Sequence, residues 1–242
     1  MLRITRFSPL VWLIPLGVAG ISFFAGAQTA TETPAPAAKE GKGKGKGGPP
    51  RPPLFFREEW KPTPSGAEAA VTPAGVSNAN LELKLYGPSG KDIQLTGNSG
   101  DEGNPLHLWT GLCEASPCGA TLRDKNNFVD LTGLARIKWV TKMSGLHTVR
   151  PMVKLADGSF LVGDRATGSV VDWHEDEFSL SDVRWIKLDA EKMVTKGNFI
   201  DKPDLSKVDE VGFADLMPGS GHGPGGWADV GRIEVYGKPV KR

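Results

Sequence analysis

The sequence is short of the residues from which most catalytic and metal centres are built. It has two cysteines and four histidines in 242 residues. The histidines, His107, His147, His174 and His222, show neither H-x-H nor H-E-x-x-H spacing, so no transition-metal motif is present. Cys113 and Cys118 have no second Cys or His pair at ligand spacing, which leaves the alternative of a Cys-x4-Cys zinc half-site incomplete. A G-x-S-x-G nucleophile elbow is also missing. Charge of one sign is scarce too, since 29 Lys and Arg against 28 Asp and Glu leave a formal charge of +1. That balance gives no reason to expect nucleic acid as a partner. Finally, no stretch keeps a 3.6-residue apolar period for three turns, which argues against a helical fold.

What is present at the N-terminus reads as an address. Met1 to Arg6 carries two arginines, Leu10 to Phe24 is almost wholly apolar, and Ala25, Gly26 and Ala27 supply small residues ahead of Gln28. This pattern predicts a signal peptide over 1–27 and no transmembrane segment after its cleavage. A retained anchor is the alternative, but Pro15 and the glycines weaken an already short span. No cysteine follows the run, as a lipoprotein would need. Residues 28–53 are rich in Thr, Ala and Pro and then run KEGKGKGKGGPPRPP. With nothing to bury, they read as a disordered tether, either a plain spacer or one whose lysines rest on an anionic envelope surface. Residues 54–242 are then one β-rich domain, secreted or periplasmic. In such an oxidising setting Cys113 and Cys118 form a disulfide, worth only about 2 kcal/mol for so small a loop.

Within the domain, short runs of period two recur between Gly, Pro, Asp and Asn. NLELKLYG sets Leu81, Leu83 and Leu85 against Glu82, Lys84 and Tyr86, and ARIKWVTK sets Ile137 and Trp139 against Arg136 and Lys138. TVRPMVKLADGSFLVGD reads as a hairpin with a type I′ turn at Asp157 and Gly158. WHEDEFSL, RWIKLDA and VDEVGFADL follow, and GWADVGRIEVYG closes with Ile233 and Val235 on one face and Arg232, Glu234 and Tyr236 on the other. Eight to ten strands of these lengths predict an antiparallel sandwich in which that closing strand lies inside a sheet beside an early one.

PDLSKVDEVGFADLMPG, a glycine-rich loop and then WADVGRIEVYG together resemble the end of galactose-binding-like jelly rolls, with ARIKWVTK, TVRPMVKLADGSF and WHEDEFSL in matching order upstream. The likeness is to family 11 carbohydrate-binding modules and complex I intermediate-associated proteins, and it spans about residues 130–237. It implies a two-sheet antiparallel jelly-roll sandwich, a carbohydrate or cell-envelope glycan as partner, and a binding role for Asp229. Val230, Gly231 and Arg232 separate Asp229 from Ile233, one residue more than the tight form of that motif. The same fold hosts noncatalytic sugar binders, polysaccharide hydrolases and assembly domains, so it does not decide among them.

Several groups are candidates for chemistry. GSGHGPGG contains G-x-G-x-x-G at Gly221, Gly223 and Gly226, but it opens a strand, whereas a dinucleotide fingerprint opens a helix. It reads as a connection between sheets. In DWHEDEF, Glu175 and Glu177 fall on one strand face about 7 Å apart, the spacing of a glycosidase pair or of a solvated face. A structural calcium, if bound, would draw on Asp101, Glu102 and Asp229, although no D-x-D-x-D-G loop is present. Six tryptophans follow residue 27. Trp139 and Trp185 sit in apolar alternation and belong to the core, whereas Trp109 and Trp227 flank loops, where an indole face can stack on a sugar ring. The segment LHLWTGLCEASPCGATLR, residues 106–123, adds His107 two residues from Trp109 and Arg123 beyond the disulfide loop. His107, Trp109, Arg123, Trp227 and Asp229 are therefore the expected ligand-binding residues of a secreted noncatalytic carbohydrate-binding domain. Trp109 as a core residue under a surface loop is the competing expectation.

Overall fold

Alternating apolar residues place one face of each principal strand against a common interior, and the strands collect into two antiparallel sheets. The computed structural model describes residues 50–62, 69–113, 117–168, 170–217 and 226–242. The expected signal peptide, most of the tether and the glycine-rich loop before Gly226 lie outside those residues. In chain order the strands are β1 (Leu54–Glu58), β2 (Ala69–Ala70), β3 (Leu81–Tyr86), β4 (Gln94–Thr96), β5 (His107–Trp109), β6 (Cys118–Asp124), β7 (Asn127–Asp130) and β8 (Arg136–Gly145). They continue as β9 (Val149–Leu155), β10 (Phe160–Gly163), β11 (His174–Ser179), β12 (Trp185–Asp189), β13 (Val194–Ile200), β14 (Val208–Asp215), β15 (Gly226–Tyr236) and β16 (Lys238–Lys241). The helices among the described residues are three single 3-10 turns.

One sheet runs β11-β8-β15-β5-β4-β2, with β1 sharing the β5 side of β15. The other runs β13-β12-β10-β9-β14-β6-β3, with β7 pairing β14 and β16 pairing β7. The fold is thus the expected all-β, two-sheet jelly-roll sandwich. Trp139, Met143, Val230 and Ile233 from the first sheet meet Leu122, Val153, Trp185 and Phe213 from the second in one buried core. Trp139 is fully buried and donates its indole N–H to Thr167 Oγ1 at 3.1 Å, so its polar edge is satisfied inside the core.

β15 lies inside its sheet, paired to β8 along its length and to β5 and β1 on its other edge. Ile233 and Val235 are buried as expected. Two details differ. β15 is not the last strand, because β16 follows it into the second sheet. Glu234 is 1% exposed rather than solvated, because Arg57 at 2.6 Å and the Tyr236 hydroxyl at 2.5 Å close over it. The extra residue between Asp229 and Ile233 is a β-bulge, with Gly231 and Arg232 opposite Val140 alone. Trp60 caps it by donating Nε1–H to Gly231 O at 2.7 Å.

Part of the excess over the expected eight to ten strands is that β2, β4 and β5 are only two or three residues long and β13 is largely exposed, so neither length nor alternation marks them. The β9–β10 hairpin forms, but not through a type I′ turn. Only Gly158 has a positive φ, +86°, and Gly158 N–H donates to Leu155 O at 3.0 Å while Leu155 N–H donates to Ser159 O at 2.8 Å. This is a type I turn closed by a glycine bulge, held by Asp157 accepting from Ser159. Just before β1, Pro53 accepts a backbone bond from Gly237 N–H at 3.1 Å.

At one end of the sandwich the sheets are joined by buried polar groups. Asp215, the last residue of β14, is 1% exposed and accepts from Thr110 Oγ1 at 2.9 Å and from Met217 N–H at 3.1 Å. His147 Nδ1 stands 2.7 Å from the same carboxylate. Thr110, just past β5, in turn accepts from Ala228 N–H of β15 at 3.1 Å. The disulfide between Cys113 and Cys118 closes the β5–β6 connection beside this cluster. Replacing Asp215 with Ala strands buried donors that no water can reach, and is expected to cost about 3 kcal/mol or more in urea unfolding. A loss below about 1 kcal/mol would show that the cluster does not hold the sheets together.

Candidate functional site

The outer face of the first sheet divides into a charged half and an aromatic half, and strand parity sets the division. On β8 the outward residues are Arg136, Lys138, Val140 and Lys142, since Ile137, Trp139, Thr141 and Met143 point inward. In the charged half Arg136 pairs with Glu177 at 3.0 Å and Lys138 with Glu175 at 2.8 Å, while Arg232 bonds both Glu175 and Glu234. Glu175 and Glu177 lie on the edge strand β11 with side chains 44% and 50% exposed. The Lys138 ammonium, aided by Arg232 and opposed by slight burial, holds the Glu175 carboxyl below the usual carboxylate range. A general acid needs the opposite shift.

In the aromatic half, β5 and β15 lie side by side with Asp229 in register with Trp109, and β8 brings Lys142 into register with Asp229 from the other edge. Around this row Thr96, Asn104, His107, Trp109, Lys142, Trp227 and Asp229 line a hollow of about 210 Å³. Four of the five expected ligand residues thus converge on one surface. Arg123 does not. It stands on β6 in the second sheet, bonded to Asp209 at 3.1 Å and Glu82 at 3.3 Å, because the chain crosses between sheets at the disulfide and carries β6 away.

Trp109 is only 7% exposed. Gly111 folds back onto its indole so closely that a Cβ there would lie 2.1 Å from the ring, so the loop can cover the tryptophan only with glycine at that position. The half-exposed indole at the rim is Trp227. Trp173, just before β11, is also half-buried; it does not line the hollow itself but packs edge-on to His107 at 5.0 Å between centroids. Lys142 Nζ lies 5.5 Å from the centre of the Trp227 ring and 5.8 Å from that of Trp173. Neither Lys142 nor Trp173 stood among the expected ligand residues. The outward parity of Lys142 was legible in ARIKWVTK, but which strand it would face was not.

His107 is buried with Nδ1 2.6 Å from the Pro105 carbonyl, an acceptor only, so that nitrogen carries the proton of the neutral ring. Its Nε2 faces Asp229 Oδ1 at 3.4 Å. Burial, opposed by the Pro105 carbonyl and reinforced by the Lys142 charge, pushes the His107 pKa down from 6.5. The three candidate calcium ligands do not come together. Asp229 faces His107 in this hollow, whereas Asp101 and Glu102 stand on the exposed β4–β5 loop beside a separate hollow of about 510 Å³. Among the described residues no three His, Cys, Asp or Glu side chains are grouped to hold a metal.

No protein-family model matches the chain, and no curated protein matches it. Among solved structures it is similar to a family 11 carbohydrate-binding module from Clostridium thermocellum in complex with a β-1,3-1,4-mixed-linked tetrasaccharide. That pair is 16% identical, covers 72% of this chain and 98% of that chain, and has a TM-score of 0.40. The family 11 module of a cellulosomal cellulase of the same organism is 15% identical, with 73% and 97% covered and a TM-score of 0.41. The K1 cleaved adhesin domain of Lys-gingipain from Porphyromonas gingivalis is 11% identical, with 72% and 99% covered and a TM-score of 0.32. The first two belong to the family that the closing strands resemble.

Two outcomes follow from these environments. Trp109→Ala removes a buried indole and is expected to lose about 3 kcal/mol or more of stability in urea unfolding; a loss under about 1 kcal/mol would place Trp109 with the exposed platform residues instead. Glu234 gives a pH dependence. Burial raises its pKa, but the Tyr236 hydroxyl and the Arg57 and Arg232 guanidiniums outweigh that and hold it below 4.5. A depressed carboxylate stabilises the fold above its unfolded pKa and loses that contribution as the pH falls through the folded value. Glu234→Gln should therefore be less stable than wild type at neutral pH, with the gap narrowing as the pH drops below about 4.5. A gap independent of pH would contradict the assignment.

Proposed function

We propose that the chain is a secreted, noncatalytic carbohydrate-binding domain whose ligand rests against Trp227 and Trp173. The carrying observation is a shallow hollow lined by the half-buried Trp227 with Lys142, His107 and Asp229, next to which the half-buried Trp173 packs edge-on to His107. The C–H-rich face of a pyranose stacks on an indole, and groups of this kind at the rim bond its hydroxyls. The site sits on sheet strands whose ends are fixed by the Thr110–Asp215 cluster, so little ordering entropy is lost on binding. Binding without catalysis is supported by the state of Glu175 and Glu177, each neutralised by a basic neighbour. Export is supported by the leader-like first 27 residues and by the disulfide.

A glycan array carrying neutral and acidic polysaccharides, probed with residues 50–242, tests the reading. At least one glycan is expected to bind, and Trp227→Ala is expected to weaken that binding tenfold or more while leaving the melting temperature nearly unchanged. Binding that survives in Trp227→Ala would remove this hollow from the site. No binding to any glycan would favour an assembly domain. Release of reducing sugar by the wild type, lost in the Glu175→Gln, Glu177→Gln double variant, would establish the hydrolase.

A further inference from the structure

The cations on the outer face of the first sheet are not all in the same state. Arg57, Arg136 and Lys138 each pair with a glutamate on a neighbouring strand, and Arg232 reaches across β8 to Glu175. Lys142, on the same face two residues beyond Val140, forms no salt bridge among the described residues. The carboxylate in register with it, Asp229, has its Oδ1 turned to His107 Nε2 at 3.4 Å. What surrounds the Lys142 ammonium is aromatic, the ring of Trp227 at 5.5 Å and that of Trp173 at 5.8 Å. An indole face stabilises an ammonium by its quadrupole but accepts none of its three hydrogen bonds as an oxygen would. The group is thus half-buried beside two rings and lines the hollow.

We propose that this hollow recognises an anionic sugar, with Lys142 bonding the carboxylate of a uronic acid, or the chemically equivalent sulfate ester, on a ring stacked against Trp227. The inference rests on the reading of the domain as a sugar binder and narrows it to a substrate class. A charge-assisted bond from ammonium to carboxylate is stronger than one to a neutral hydroxyl, and partial exclusion of water at the site strengthens it further. The hollow's volume, about 210 Å³, lies below the 300–1,000 Å³ typical of drug-sized ligands and suits a single sugar residue. Selectivity then comes from one charged contact on one ring.

The test is calorimetric titration of residues 50–242 with matched pairs that differ only in charge. Galacturonan, glucuronan and alginate oligomers are each compared with their methyl esters, and sulfated galactan oligomers with their desulfated forms. Cello-, laminari- and xylotetraose serve as neutral sugars. At least one anionic member is expected to bind tenfold or more tighter than its neutral counterpart. Lys142→Gln should abolish that preference by weakening the anionic member tenfold or more towards its neutral counterpart, whereas Lys142→Arg should retain it; thermal melts confirm that both variants fold. The uronate and sulfate pairs distinguish the two sources of the anion. If sugars bind but no pair shows a preference for the anion, or if the preference persists in Lys142→Gln, this inference fails and the sugar-binding reading stands. If no oligosaccharide of either charge binds, both fail together.

Discussion

The carboxylate of Asp215 is the group on which the site end of the molecule depends. Burying an anion between two sheets is costly unless its oxygens are satisfied, and here Thr110, His147 and the Met217 backbone surround it. Thr110 serves two partners at once, donating to Asp215 and accepting from Ala228. Trp109 and Trp227 are the sequence neighbours of Thr110 and Ala228, so the threonine that ties the sheets together through Asp215 also sets the two tryptophans on adjacent strands through Ala228. The disulfide at Cys113 and Cys118 fixes the crossover immediately beyond, where β6 begins opposite Asp215. Without this buried cluster the sandwich core could persist, but the register of the aromatic residues over the sheet would have no anchor.

The second sheet offers less room on its outer face. Tyr86 on β3 and Phe160 on β10 come from strands four positions apart, yet their rings meet edge to face with centroids 4.9 Å apart. The sheet is therefore strongly curved, and the side chains that cross it cover Met152, Val162 and Ala214, all fully buried. Met193, from the β12–β13 turn, adds to the same cluster. Glu210 is held beneath by Tyr86, Thr121 and Lys154. This face is filled by its own side chains, and Arg123 at its rim is engaged by Asp209 and Glu82. The first sheet keeps its aromatic residues at an open surface, and there the charges sort into paired groups and one lysine among indoles.

The sequence revealed most where one physical constraint acted along a single strand. Period-two alternation placed β3, β8, β12, β14 and β15 and identified Trp139 and Trp185 as interior, because burial of one face suffices to produce the pattern. The cysteine pair and its compartment predicted the disulfide. Alternation says nothing, however, about which strands become neighbours. His107, Trp109, Trp227 and Asp229 lay on suitable faces in the sequence, but their convergence required β5 and β15 to pair. Arg123 was separated from them by a sheet-to-sheet crossing that sequence distance conceals. Trp109 looked like a platform because it precedes a loop, and its burial arises from Gly111 folding back onto the ring, a tertiary event. The extra residue after Asp229 was visible in the sequence, and the bulge at Gly231 and Arg232 explains how β15 accommodates it without losing its inward face.

The most direct test of the central claim, that the aromatic half of the first sheet is the ligand surface, is an NMR titration of the tryptophan indole N–H signals with a bound oligosaccharide. The account predicts that Trp227 and Trp173 shift together and saturably, while the core signals of Trp139 and Trp185 stay fixed. Unchanged signals for Trp227 and Trp173 on addition of a sugar that binds would place the ligand elsewhere and contradict it.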